Sequence, residues 1–153
     1  MRQVKRTELK YNLTKVQEEG ENFYVICADM AKDGAAETAV GIAKVIPKEH
    51  YFSYKFINLY TIPSTDYMVI ANEFKKAVIR YQAKLLIYDA NGVGAGIRDW
   101  LNKETTDEYG NLLAGLGLIN PPSTSERDLI KYGKDRTICY EIKSGGLIGE
   151  QIH

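Results

Sequence analysis

At 153 residues the chain is long enough for one domain with a real hydrophobic core. Its 44% hydrophobic and 26% charged residues are ordinary for a globular protein, and no apolar run approaches the roughly 18 residues of a membrane span. The 20 basic and 20 acidic residues cancel, which excludes the strongly basic balance of a dedicated nucleic-acid binder. It does not exclude a nuclease, which needs acids to hold metal.

The N-terminal MRQVKRTELK is basic but has no apolar segment behind it, so it is not a secretory signal. Residues 1–20 are polar and read as a linker or arm. FYVICADM, 23–30, is an apolar run ending at an acid and predicts a buried strand. AKDGAAE makes a turn around Gly34, and TAVGIAKVI, 38–46, predicts a second strand stopped by Pro47. YFSYKFINLYTI, 51–62, is rich in aromatic and β-branched residues and predicts a third. The short gaps favour antiparallel pairing.

Pro63 closes that strand, and Ser64, Thr65 and Asp66 offer N-caps for a helix. Ile70, Phe74, Ala77, Val78 and Tyr81 follow at helical spacing. KLLIY, 84–88, predicts a short strand leading straight to Asp89, and ANGVGAG a glycine-rich turn. A second helix starts near Gly94 and turns Ile97, Trp100 and Leu101 inward. Residues 102–125 read as an irregular excursion, 127–132 as a short helix and RTICYEI, 136–142, as a final strand. A helix crossing from the third strand to the fourth makes that pairing parallel. The expected fold is therefore α/β: a mixed sheet with helices over its faces, compatible with the RNase H-like fold and with other α/β domains.

Asp29 and Asp89 are the candidate site. Each ends an apolar strand, although aspartate is a poor strand former and is rarely buried without a partner. Side by side, two carboxylates repel unless a cation lies between them. Hard divalent cations choose oxygen ligands, and Mg²⁺ takes one or two carboxylates. The plain alternative is that each aspartate caps the turn after it. NGVGAG lacks the lysine-serine or lysine-threonine ending of a Walker motif and does not match the dinucleotide fingerprint. It reads as a tight strand-to-helix turn whose glycines let the backbone pass close to the metal site. Lys32, Asp33, Arg98 and Lys103 read as solvated, and Glu73, beside core-facing Phe74, as a lesser candidate ligand. His50 and His153 share no ligand spacing with each other or with Cys27 and Cys139. The two cysteines read as buried thiols in a reducing compartment. Most of the eleven tyrosines read as core or sheet packing rather than stacking platforms for bases.

YVICADMAKDGAAETAVGIAKV resembles the first motif of the nuclease domain of phage terminase large subunits, and LLIYDANGVGAGIRDWL resembles the second. YEIKSGGLIGEQIH is similar to the region after that family's last strand. The likeness runs over most of residues 23–153. It implies an RNase H-like nuclease domain, C-terminally incomplete, over residues 21–153. On this likeness Asp29 and Asp89 match the first two metal-binding acids of a two-metal Mg²⁺ or Mn²⁺ endonuclease. The family's third acid lies in a helix beyond the last strand, so its counterpart is expected beyond His153; Glu150 lies too near the strand end. The implied partners are double-stranded DNA and the terminase ATPase domain, small subunit and portal, with no membrane. The implied compartment is the cytoplasm of a host cell, with a phage or prophage gene. The same reading leaves two alternatives. One is a non-catalytic fragment or platform that contacts the packaging motor or portal. The other is an actin-like ATPase lobe, whose phosphate-binding hairpin AKDGAAE does not closely resemble.

Overall fold

The structure is a computed structural model that describes residues 21–30, 37–90, 92 and 94–142. A six-stranded mixed sheet forms its centre, with three helices flanking it. Strands β1 (Phe23–Asp29), β2 (Thr38–Pro47) and β3 (Phe52–Ile62) are antiparallel neighbours. Helix α1 (Tyr67–Tyr81) crosses to β4 (Leu85–Asp89), which pairs parallel to β1. Helix α2 (Gly94–Asn102) follows, then α3 (Glu126–Tyr132) and β8 (Thr137–Ile142), which pairs parallel to β4. With the short strand β7 (Gly117–Leu118) at the far edge, the sheet order is β3-β2-β1-β4-β8-β7.

The helical crossover from β3 to β4 agrees with the periodicity, but β4 does not pair with β3: it crosses two strands and lies parallel to β1. The excursion does not stay irregular. It holds β5 (Thr105–Thr106), paired with β6 (Leu112–Leu113), and β7 (Gly117–Leu118), which joins the main sheet beside β8. Two-residue strands are too short to carry a period of two, so hydropathy cannot reveal them. Residues 1–20 and 143–153, read as an arm and an unfinished C-terminal part, lie outside the described residues, as do Lys32, Asp33, Glu150 and His153. Among the described residues no helix is long and apolar enough to cross a membrane.

Alternation divides the sheet into two faces. Ile26, Ala28, Leu86 and Tyr88 face the helices and pack with Phe74, Val78, Ile97 and Leu101 in the main core. Phe23 and Val25 form a smaller cluster on the opposite face with Cys27, Leu85 and Ile87. Helix α1 starts where the sequence offers a cap. Asp66 accepts hydrogen bonds from the backbone N–H of Met68 (2.8 Å) and Val69 (3.3 Å). Gln82 ends the helix in the left-handed region, φ 49°.

The helix also buries a lysine. The Nζ of Lys75 donates to the Lys103 carbonyl (2.6 Å) and to Thr105 Oγ1 (2.9 Å). Thr105 in turn donates to Asn72 Oδ1 (2.6 Å). Burial lowers the Lys75 pKa to about 8. The unfolded chain therefore holds this proton more tightly than the folded one, and the Lys75 contribution to stability rises with pH between about 8 and the ordinary lysine value. Urea midpoints of the parent and of Lys75→Met, compared at pH 7.5 and pH 10, are expected to diverge in the parent's favour as pH rises. A constant difference would show that the buried amine does not titrate in this window.

Candidate metal and nuclease site

Parallel pairing brings the two candidate aspartates together. Cα partners run from Val25↔Leu85 to Asp29↔Asp89, so the acids occupy the last paired position of both strands. Register partners in adjacent strands share a face, about 4.8 Å apart. Asp29 and Asp89 therefore lie side by side at the C-terminal ends of β1 and β4, on the face away from α1 and α2. Asp29 is exposed and Asp89 half-buried. The Met30 N–H donates to the Asp89 carbonyl (2.9 Å), which carries the pairing one residue past the acids. Helix α1 is capped by Asp66 and α3 by Ser125.

An open depression of about 550 Å³ adjoins the pair, with Cys27, Gly41, Phe56, Leu59 and Ile142 among its walls. Two in-register carboxylates on one exposed face suit one hard divalent cation, which keeps waters or substrate oxygens in its other positions. Among the described residues no third His, Cys, Asp or Glu joins them.

The other candidates fall elsewhere. Glu73 is paired with Lys76 (3.1 Å) on the outer side of α1, beside β3. Lys103 lies over the Trp100 ring, 3.8 Å from its centroid. His50 is exposed beside Glu49 (3.7 Å). Cys139 is buried, and burial pushes its thiol up to about 12, whereas Cys27 is only half-buried, on the open face. Tyr88 and Tyr132 are core residues, but Tyr51, Tyr54, Tyr109 and Tyr140 are exposed, so packing does not account for all the tyrosines.

In the glycine turn, Asn91 and Val93 lie outside the described residues, and Gly92 has φ +89°, a conformation that suits glycine. Gly96 serves packing between helices: a Cβ there would lie 2.5 Å from the Tyr67 ring of α1. Its small size thus admits Tyr67, a role different from the close passage of backbone past a metal site.

Arg98 is the residue that sequence reasoning misplaced on a solvated face. Its guanidinium meets the buried Glu141 carboxylate at 2.9 Å. Glu141 Oε1 also accepts from the Tyr88 hydroxyl (2.9 Å). Asn120 grips the Glu141 backbone, donating to its carbonyl (2.7 Å) and accepting from its N–H (3.0 Å). Glu141 thus ties β4, β8 and α2 together one residue before the Asp89↔Ile142 pair. It faces the helices and is not on the aspartates' face. No family model matches this chain, and no curated protein matches its sequence.

Proposed function

We propose that this chain is an RNase H-like, divalent-metal-dependent nuclease domain of the kind found in phage terminase large subunits, cutting double-stranded DNA. The observation that carries the reading is the in-register pairing of Asp29 with Asp89 at the C-terminal ends of two parallel strands. Ligand sites in open α/β sheets lie outside such strand ends. The order β3-β2-β1-β4-β8, with β2 alone antiparallel to its neighbours, supports the RNase H-like assignment. The two sequence motifs meet at this one point of the sheet.

Asp29 and Asp89 would hold the cation, and their mutual repulsion favours its capture. Bound Mg²⁺ or Mn²⁺ supplies Lewis acidity and charge neutralisation at a phosphodiester. Exposed Asp29 leaves the site open to a bulky substrate. Half-buried Asp89 is held by the β1 and β8 ladders on either side.

Two carboxylates acting alone are expected to bind Mn²⁺ weakly and to support slow nicking. Magnesium demands a near-ideal octahedron and is expected to support less cleavage. Thermal melts should rise with Mn²⁺, because a ligand of the folded state stabilises it, by about 2.7 kcal/mol at a hundred times Kd. Calorimetric titration and plasmid nicking complete the test. Absence of both binding and cleavage at millimolar Mn²⁺ would sink the nuclease reading. It would leave the non-catalytic platform.

A further inference from the structure

The end of the sheet opposite the aspartates concentrates positive charge, although the whole chain is neutral. Lys44 of β2 pairs directly with Lys55 of β3, and Lys44 also pairs with Tyr24 of β1. Like charges placed opposite one another across strands are unfavourable. Among the described residues neither lysine side chain has an ion pair or hydrogen bond.

Helix α1 ends beside them. Arg80 lies over the Tyr81 ring, 5.4 Å from its centroid, and Tyr81 packs on Tyr24 at 6.1 Å. The Lys84 N–H donates to the Tyr24 carbonyl (2.9 Å), and Arg136 donates to the Ala83 carbonyl (3.0 Å). Burial and the charge of Arg136 both hold the Lys84 pKa below its ordinary value, against the opposing effect of Glu21. A groove of about 280 Å³ between α1 and β3 opens onto this end, lined in part by Asn58, Tyr60, Arg80 and Tyr81. Its one acid, Glu73, is held by Lys76 at 3.1 Å. Asp135 lies beside Arg136 in sequence. Among the described residues the cations named here still outnumber the acids, and they come from four elements or their flanks.

We propose that this surface, centred on Lys44, Lys55 and Arg80, binds the phosphodiester backbone of a nucleic-acid duplex. The ligand class follows from the donors. Arg, Lys, Asn and Tyr side chains are the usual partners of phosphate oxygens and carry no sequence information. Base readout needs a helix or ribbon that enters a groove of the duplex. The cations come from one end of the sheet and not from one closed pocket, which suits a polyanion with one charge per about 1.7 Å. Asp29 lies five residue steps along β1 from Tyr24, about 17 Å. The surface is therefore separate from the aspartate pair.

Fluorescence anisotropy with a labelled 20-base-pair DNA duplex and an RNA duplex of the same sequence, in EDTA between 50 and 200 mM salt, tests the proposal. Chelator makes the result independent of whether the aspartates hold metal. Both duplexes are expected to bind within tenfold of each other. The slope of log K against log salt should be about −3 for three neutralised phosphates. Lys44→Gln with Lys55→Gln should weaken binding tenfold or more at 50 mM salt and make the slope shallower by about 2. Arg80→Gln, which leaves the strands untouched, should reduce it by about 1. Parent protein that binds neither duplex, or variants that keep the parent's affinity and slope, would overturn the proposal.

Discussion

Asp29→Asn and Asp89→Asn are each expected to lower Mn²⁺-dependent nicking of supercoiled plasmid by two orders of magnitude or more. The two residues share one face at the ends of parallel strands, so each would supply an anionic oxygen to the same cation. Losing either weakens charge neutralisation at the phosphodiester, a contribution of several kcal/mol, and each 1.36 kcal/mol is tenfold in rate. Stability should move the other way. In chelator the two carboxylates repel, and the amide relieves that repulsion while keeping the shape. Melting temperatures in EDTA should therefore match or exceed the parent's.

Asp66→Ala is the control. Asp66 is a genuine cap, accepting from Met68 and Val69, so its loss should cost about 0.5–2 kcal/mol and leave nicking unchanged. If the Asp29 and Asp89 variants behave like Asp66→Ala, melting lower and still nicking, the nuclease reading is wrong.

Arg98→Ala is expected to give the largest loss of stability. The side chains of Arg98 and Glu141 are only 16% and 5% exposed. Truncating Arg98 strands a buried carboxylate, which typically costs about 3–5 kcal/mol. For a domain of this size that is a fall in Tm of roughly 10 °C.

Tyr88 is bound into the same unit. Burial, then the Glu141 charge, holds its hydroxyl proton on far beyond the ordinary range. The hydroxyl therefore remains a donor to Glu141 at any working pH. Replacing all three polar groups together, with Arg98→Met, Glu141→Leu and Tyr88→Phe, should recover most of the lost stability, since buried ion pairs often match apolar groups of similar volume. Thermal melts of the parent, Arg98→Ala and the triple variant check both outcomes. Equal losses for Arg98→Ala and the triple variant would mean that packing volume, not the unpaired charge, sets the cost.

The main strands and α1 were legible because each has a sufficient cause within its own segment. FYVICADM and KLLIY are too apolar to stand in water, the spacing from Ile70 to Tyr81 fits one face of a helix, and Asp66 sits where orphan N–H groups need an acceptor. The acids at the ends of β1 and β4 stood out for the opposite reason, since nothing in a strand favours aspartate. That they lie in register was decided by the α1 crossover and the parallel ladder, contacts far apart along the chain.

The same limit explains what stayed hidden. Arg98 and Glu141 are 43 residues apart, and each looks like a solvent-facing charge until β4, β8 and α2 close around the pair. Lys75 follows Phe74 on a helix face that becomes interior only when residues 103–105 fold over it. Strand β7 has two residues and no periodicity, and it exists because β8 offers it an edge. Local hydropathy and capping thus determined where the elements run. Partners for buried charges, and the common face of the two aspartates, were decided only by tertiary closure, because those energies depend on groups that no local window contains.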